Sequence, residues 1–264
     1  MKLCAIASGS KGNCTYIGSQ GLNILVDVGI SGKQAIRGLD EINIEGTDID
    51  AIFITHEHND HIKGVGIFSR KFDTPIYATE KTWQVIDTNN MIGKVAQQNK
   101  KIIKPNKCIK LNKTEITPFS IKHDSVDPVG YTFETDNKKI AVLTDIGSID
   151  DDVFCHMKNC NGMLVESNHD ESILQVGDYP PNLKKRILGE YGHISNETSA
   201  QFIADIYNKN LKWVVLGHLS QDNNFPDLAY VTFKNTLATN GIKIKIDIEI
   251  YIAEQNKISK LLCV

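Results

Sequence analysis

From Thr55 the chain reads Thr-His-Glu-His-Asn-Asp-His, so three histidines (His56, His58, His61) and two carboxylates (Glu57, Asp60) fall within six consecutive positions. An exposed loop gains no packing energy from such a cluster, and histidines this close repel one another once protonated. A divalent cation resolves the conflict, because neutral imidazole nitrogens and carboxylate oxygens both coordinate it. In an extended segment residues i and i+2 project to the same side, so His56 and His58 can clasp one ion. Asp60 and His61, past the turn, then face a second.

The stretch before the cluster, Asp50-Ala-Ile-Phe-Ile-Thr55, has the apolar run of a buried strand, which places the cluster in a loop at that strand's C-terminal end. A His-x-His-x-Asp-His signature after a strand resembles the metallo-β-lactamase superfamily, and the other motifs of that superfamily can be matched in order. Leu25-Val26-Asp27-Val28-Gly29 supplies an aspartate closing an early strand, and Ile121-Lys122-His123-Asp124 an isolated histidine. Val142-Leu143-Thr144-Asp145-Ile146-Gly147 supplies a second aspartate, and Val215-Leu216-Gly217-His218-Leu219-Ser220 a late histidine. The resemblance implies an α/β (α+β) fold, a four-layer αββα sandwich, holding two divalent metal ions. His56, His58, His123 and Asp145 would hold the first; Asp60, His61, Asp145 and His218 the second, with Asp145 bridging. Asp27 would orient the ligands from behind. Taken singly, His123 and His218 read as ordinary half-buried histidines and Asp27 as a turn residue; beside the dense cluster they read as a site. Zinc, manganese and iron all suit these donors, and affinity order does not choose among them.

Two further segments resemble the nuclease branch of the superfamily. Leu164-Val165-Glu166-Ser167-Asn168-His169-Asp170 ends a strand on an acidic residue, and Gly192-His193-Ile194-Ser195-Asn196-Glu197 sets a histidine just before a helix. By that likeness His193, oriented by Glu166, donates a proton to the leaving oxygen, and His169 is a further candidate. Together with Ala7-Ser8-Gly9-Ser10-Lys11-Gly12-Asn13-Cys14 and Gly217-His218-Leu219-Ser220-Gln221-Asp222-Asn223-Asn224, these segments resemble the WalJ/YycJ family of bacterial 5′→3′ DNA exonucleases. The resemblance implies a dinuclear metal-dependent phosphodiesterase in which a metal-bridging hydroxide attacks phosphorus. Asp60, Glu166, His169 and His193 are then the candidate catalytic residues, and Ser8, Ser10, Asn168 and Ser195 candidate substrate contacts. A hairpin turn explains Ser8 and Ser10 equally well, and helix capping explains Ser195. An RNA or small-molecule phosphodiesterase of the same fold, or a noncatalytic metal-binding regulatory module, are the competing readings. Asp145 and His218 lie only 73 positions apart, which leaves no room for the large insertion domain of ribonuclease J relatives. The expected organisation is one metallo-β-lactamase-like domain over residues 1–264.

Positioning these residues takes two β-rich halves with helices outside. Runs at 2–8, 13–18 and 22–28, four or five strands within 101–144, and strands at 162–166, 213–217 and 243–252 supply the sheets. Helices are expected from about 196 and over 227–239. In the first of them Ala200, Ile203, Ala204 and Tyr207 form one core-facing stripe.

With 264 residues, 41% hydrophobic and 23% charged, the composition is that of a globular chain, which excludes a largely disordered one. No window approaches the roughly 18 apolar residues of a membrane span, and no secretory core follows Lys2, so a cytoplasmic protein is expected. The net charge of −3 excludes a globally basic nucleic-acid binder. Local cationic footing for nucleic acid is offered by eight lysines (94, 100, 101, 104, 107, 110, 113, 122) set against Glu115 alone, and by Lys184, Lys185 and Arg186. The six cysteines show no CxxC pair and read as buried free thiols.

Overall fold

The computed structural model describes residues 1–264. Its architecture is two mixed seven-stranded sheets packed face to face. The first holds β1 (Lys2–Ala7), β2 (Cys14–Ser19), β3 (Leu22–Val26), β4 (Ala51–Phe53), β5 (Ile76–Thr79) and β6 (Lys100–Ile103) in chain order. The second holds β7 (Ile109–Leu111), β8 (Thr114–Ser120), β9 (Val129–Thr135), β10 (Lys138–Leu143), β11 (Gly162–Glu166), β12 (Trp213–Gly217) and β13 (Glu249–Ile252). The last strand, β14 (Leu262–Cys263), returns to pair with β1. Helices α1 (Gly32–Glu41), α2 (Asn59–Ile62), α3 (Val65–Phe72) and α4 (Glu80–Thr88) belong to the first half. The second half carries α5 (Asp151–Met157), α6 (Glu171–Val176), α7 (Pro181–Ile187), α8 (Asn196–Ile206) and α9 (Pro226–Thr239).

Three apolar clusters make this a four-layer αββα sandwich. Leu3, Ile24, Phe53, Tyr131, Phe133 and Val215 interlock between the sheets. Leu39, Phe68, Trp83 and Ile86 seal α1, α3 and α4 onto the first sheet. Val153, Phe202, Ile203, Phe233 and Leu237 seal α5, α8 and α9 onto the second. β4 shows why the sequence carries continuous apolar runs. Ala51 and Phe53 face the sheet–sheet core while Ile52 and Ile54 face the helices, so both sides of the strand are dry. Local chemistry sets the turns: Gln20 and Gly21 (φ 43° and 75°) between β2 and β3, and Asp136 and Asn137 (φ 48° and 60°) between β9 and β10, supply the left-handed pairs of two-residue hairpins. Side-chain caps start the helices, with Ser31 and Gln34 forming a reciprocal box at α1 and Ser195 capping α8.

Two expectations need correction. The 243–252 strand shrinks to β13, because the Asp247 carboxylate accepts from Lys243 N at 2.8 Å and folds 243–247 into a turn that leaves Ile246 78% exposed. The alternation of Ile242, Ile244, Ile246 and Ile248 imitates a strand but serves a loop. Cys4, Cys14 and Cys160 are buried, but Cys108, Cys155 and Cys263 are exposed. Of the eight lysines, Lys100 and Lys101 lie on β6 and Lys110 on β7, which are edge strands of the two sheets. Lysine there guards an open ladder against pairing with another chain. Lys100, Lys110 and Lys122 are moreover paired with Asp87, Glu115 and Glu190.

Candidate metal centre

β3 and β4 run parallel, and so do β10, β11 and β12. Each ends at the same rim, and each delivers a polar residue there: Asp27 after β3, Thr55 to His61 after β4, Asp145 after β10, Glu166 at the end of β11 and His218 after β12. His123 follows β8 at this rim. Carboxyl ends of parallel strands are where open α/β sheets place their ligands, since the chain must leave the sheet there and its side chains are free of the ladder. The exits are tight. Asp27, Asp145 and His218 all sit in the left-handed region (φ 60°, 55° and 54°), a cost of about 1–3 kcal/mol each that the surrounding packing sustains.

The cluster loop forms the single turn α2, held against the chain after β3. Asn13 N donates to Asp60 O at 2.8 Å, Val28 N to His61 O at 2.9 Å and Gly64 N to Val28 O at 2.7 Å. Gly29 lies so close that a Cβ there would stand 1.6 Å from the Asp60 carbonyl oxygen. Glycine is required because backbone meets backbone, whatever its torsions.

Around Asp145 the side chains gather in overlapping groups: His56, His58 and His123; His56, His61 and Asp145; Asp60, His61 and His218; Asp145, Glu166, His193 and His218. Ligand atoms within each group lie within 4.8 Å of one another. Asp145 sits at the junction. Its Oδ1 is 3.5 Å from His218 Nε2 and 3.8 Å from His123 Nε2, while its Oδ2 is 3.0 Å from His61 Nε2. Asp60 Oδ2 is 3.6 Å from His61 Nε2 and 3.9 Å from His218 Nε2. All seven side chains expected to hold metal therefore stand around one point.

Behind them lies a layer of orienting bonds. Asp27 accepts from Thr55 N (2.9 Å) and Thr55 Oγ1 (2.8 Å), and its Oδ2 meets His61 Nδ1 at 2.8 Å, turning Nε2 of that ring inward. Glu166, fully buried, takes His218 Nδ1 and His193 Nδ1 on one oxygen at 2.8 Å each and Ile146 N on the other. The sequence pointed to the His193 contact; that the same oxygen also fixes His218 is visible only in three dimensions.

The donor atoms fit divalent cations by a simple test. His56 Nε2, Asp145 Oδ2 and His218 Nε2 are buried and take no hydrogen bond from the protein. The close approach of His61 Nε2 to Asp145 Oδ2 is not aligned as one either. Unpartnered buried polar atoms cost free energy, and ligand atoms converging on a shared space are what a cation satisfies. Burial pushes His56 and His123 below the ordinary histidine range, toward the neutral form that coordinates. Burial acts the same way on His218 and His61, but Asp145 and its neighbours outweigh it, holding His218 up at about 10 and His61 well above its usual value. Asp145 is conversely held well below the usual carboxylate range: burial opposes its charge, and His218 and His61 prevail. The protein by itself thus balances surplus carboxylates with protons on histidines, a balance that cations would take over.

The remaining candidates divide. His193, 18% exposed, lines a cavity of about 230 Å³ with Ser10, Asn168, Tyr179, Arg186 and Ser220. Arg186 is ion-paired with Asp124, the neighbour of His123. Asn168 Nδ2 donates to His218 O at 3.0 Å. Ser8 Oγ accepts from His218 N at 2.8 Å, so this hydroxyl holds the ligand loop. Ser195 Oγ is committed to Thr198 at the head of α8. His169 is buried with Nδ1 3.3 Å from Asn168 Oδ1 and Nε2 unpartnered, outside the groups around Asp145. Asn13, not singled out from the sequence, places Nδ2 3.0 Å from His61 Nε2. Its only sequence signal is its place in the Ser-Gly-Ser-Lys-Gly-Asn run, since an amide does not titrate.

Residues 22–218 match the family model described as a beta-lactamase superfamily domain. The chain is 41% identical over 250 residues to exodeoxyribonuclease WalJ of Streptococcus pneumoniae, covering 95% of this chain and 93% of that one. It is 38% identical over 248 residues to exodeoxyribonuclease YycJ of Bacillus anthracis, covering 93% and 92%. In fold it is similar to the metallo-beta-lactamase fold protein YhfI of Bacillus subtilis (TM-score 0.71, 15% identity, 98% of each chain) and to the short form of human tRNase Z (TM-score 0.65, 16% identity, all of each chain). The chain belongs to the metallo-β-lactamase superfamily and, within it, to the family of the WalJ and YycJ exodeoxyribonucleases.

Proposed function

We propose that the protein is a dinuclear metal-dependent nuclease that shortens DNA from its 5′ end, with residues 1–264 acting as one catalytic unit in the cytoplasm. The observation that carries this reading is the convergence of six side chains around a seventh, Asp145, with the Glu166–His193 pair at its edge. Full-length similarity to two exodeoxyribonucleases supports DNA as the polymer, and the 5′→3′ direction follows from the family resemblance. No helix is long and apolar enough to cross a membrane.

His56, His58, His123 and Asp145 would hold one cation, and Asp60, His61, Asp145 and His218 the other. Bound there, a pair of divalent ions supplies a nucleophilic oxygen from water at neutral pH and electrophilic contact to phosphoryl oxygens. The chain's own residues do the rest. Asp27 and Glu166 lock the rings of His61 and His218. Glu166 also occupies His193 Nδ1 and leaves Nε2 as the nitrogen free for substrate. Burial pulls the His193 pKa down, but the Glu166 charge outweighs it and the ring is held above its ordinary value. In its protonated form the imidazole, beside the cavity, is placed to donate to the leaving oxygen. Arg186 and Ser10 face the same cavity and are placed to contact the phosphate.

Digestion of DNA and RNA labelled at either end, single- or double-stranded, with added manganese or zinc, tests the reading. Loss of nucleotides from the 5′ end of DNA, abolished in Asp60→Ala, is expected. Cleavage of RNA or of small diesters only would assign a different phosphodiesterase. Absence of any cleavage by metal-loaded protein would leave a metal-binding module.

A further inference from the structure

Two further cavities continue from the metal centre and take no part in the chemistry above. The cavity beside His193 shares Ser220 with a second one of about 350 Å³, whose walls include Ser8, the residue that holds His218, and Phe225. That cavity in turn shares Gln255, Asn256 and Lys257 with a third of about 550 Å³ along α1. Shared walls set the three side by side, an interrupted trough leading away from His193.

Its construction is specific. Gln255 accepts from Lys11 N at 2.9 Å and donates to Gly12 O at 3.0 Å, pinning the turn at 254–257 to the loop at 9–12. Gly9 has φ 145°, and a Cβ there would meet Gln255 Oε1 at 2.5 Å, so the absence of a side chain is what lets loop and turn close up. Phe225 is 57% exposed and belongs to none of the three apolar clusters, so packing does not account for it. At the far end Lys11, Arg37, Lys63 and Lys257 line the cavity with Glu41 as its one acid. Arg37 meets Glu41 at 3.5 Å and Lys257 meets Glu254 at 3.1 Å, both on the surface, whereas Lys11 and Lys63 have no carboxylate partner.

We propose that this trough binds a single nucleic-acid strand running from the scissile bond, with a base stacked on Phe225 and phosphates held by Lys11 and Lys63. The inference rests on the nuclease reading and adds to it where the uncleaved part of the substrate lies. An aromatic platform followed by unpaired cations is what a strand needs when it is gripped without regard to sequence, since every base has a π-face and every linkage a charge. The strand must be single because in a duplex both faces of a base are already covered by its stacked neighbours. The footing lies on the Ser8–Asn13 and 254–257 side, far in topology from the lysine-bearing edge strands β6 and β7.

The test uses metal-loaded protein and a fluorescein-labelled single strand of about 20 nucleotides, within the range such grooves cover, built with phosphorothioate linkages so that it stays intact. Anisotropy titrations at several salt concentrations give affinity and its salt slope. Phe225→Ala is expected to weaken binding about tenfold. Lys11→Ala and Lys63→Ala are each expected to flatten the log–log salt slope by about 0.7. All three variants should hydrolyse bis(p-nitrophenyl) phosphate, which reaches only the metal centre, at the wild-type rate. Unchanged affinity and slope in all three overturns the trough, and so does a parallel loss of small-ester hydrolysis, which would show the residues acting through the centre. If the variants behave as expected but no nucleic acid is ever cut, the trough stands and the nuclease reading falls. If DNA is cut while the variants bind like wild type, the reverse holds.

Discussion

Replacing Glu166 by glutamine tests the centre at its most loaded point. One carboxylate oxygen receives both His193 Nδ1 and His218 Nδ1 at 2.8 Å, and the other receives Ile146 N at 2.8 Å. Glutamine keeps the shape but has only one acceptor oxygen. Turned toward the histidines, that oxygen serves both rings, and the amide NH2 then opposes the buried Ile146 N–H. Turned the other way, the NH2 opposes two ring N–H groups. The better choice leaves the Ile146 N–H and the new amide N–H facing it both unpaired, each worth about 1–3 kcal/mol of stability. It also removes the negative charge from two charge-assisted bonds. Because His218 loses its charged partner, metal affinity should fall by about 10–100-fold. His193→Gln offers the contrast: it should lower kcat by about 10²–10⁴ and leave metal affinity unchanged. Competition against a chromophoric chelator measures affinity, and turnover at saturating metal measures the chemistry. A Glu166→Gln protein that binds metal as tightly as wild type would refute the placement of His218 among the ligands.

Gly29→Ala puts a Cβ 1.6 Å from the Asp60 carbonyl; the ligand loop must move, which should cost about 1–3 kcal/mol in thermal unfolding and weaken metal binding in calorimetric titration. In the native protein Cys108, Cys155 and Cys263 should react promptly with a thiol reagent, and Cys4, Cys14 and Cys160 only after denaturation, so the absorbance should rise in two equal steps. Burial underlies the second step, pushing the Cys4 thiol up to about 11 and Cys160 up to about 12. A triple exchange of Lys101, Lys104 and Lys107 to glutamine should leave single-strand affinity and its salt slope unchanged, because these side chains lie on or between the edge strands β6 and β7; a flatter slope would restore the lysine run as the nucleic-acid footing.

Much was legible before folding, because ligand chemistry leaves a compositional trace. The density of His56, His58, Asp60 and His61 has no packing explanation, and each later donor, Asp145 and His218 among them, follows an apolar run that reads as a strand. Strands at 162–166 and 213–217 match β11 and β12, buried on both faces and cut off abruptly by polar residues. Side chains that position others leave less trace. Asn13 carries no charge to mark it, and its approach to His61 depends on a loop crossing 48 positions of sequence. Ser8 read equally as a substrate contact and as a turn residue, because serine in a glycine-rich turn is ambiguous until its partner, the His218 amide, is known. The lysines at 100–113 were equally ambiguous, since charge guarding a sheet edge and charge gripping a phosphate have the same composition.

By itself, then, the sequence determined which atoms are available for coordination and which strands would end beside them, because residue type and hydrophobic period are local properties. Only the tertiary structure decided that one Glu166 oxygen serves two histidines, that Gly29 must lack a side chain, and that three cavities lie side by side past Phe225. Those facts concern distances between segments far apart in the chain, and no local pattern encodes a distance until the two sheets have packed and brought their strand ends to one rim.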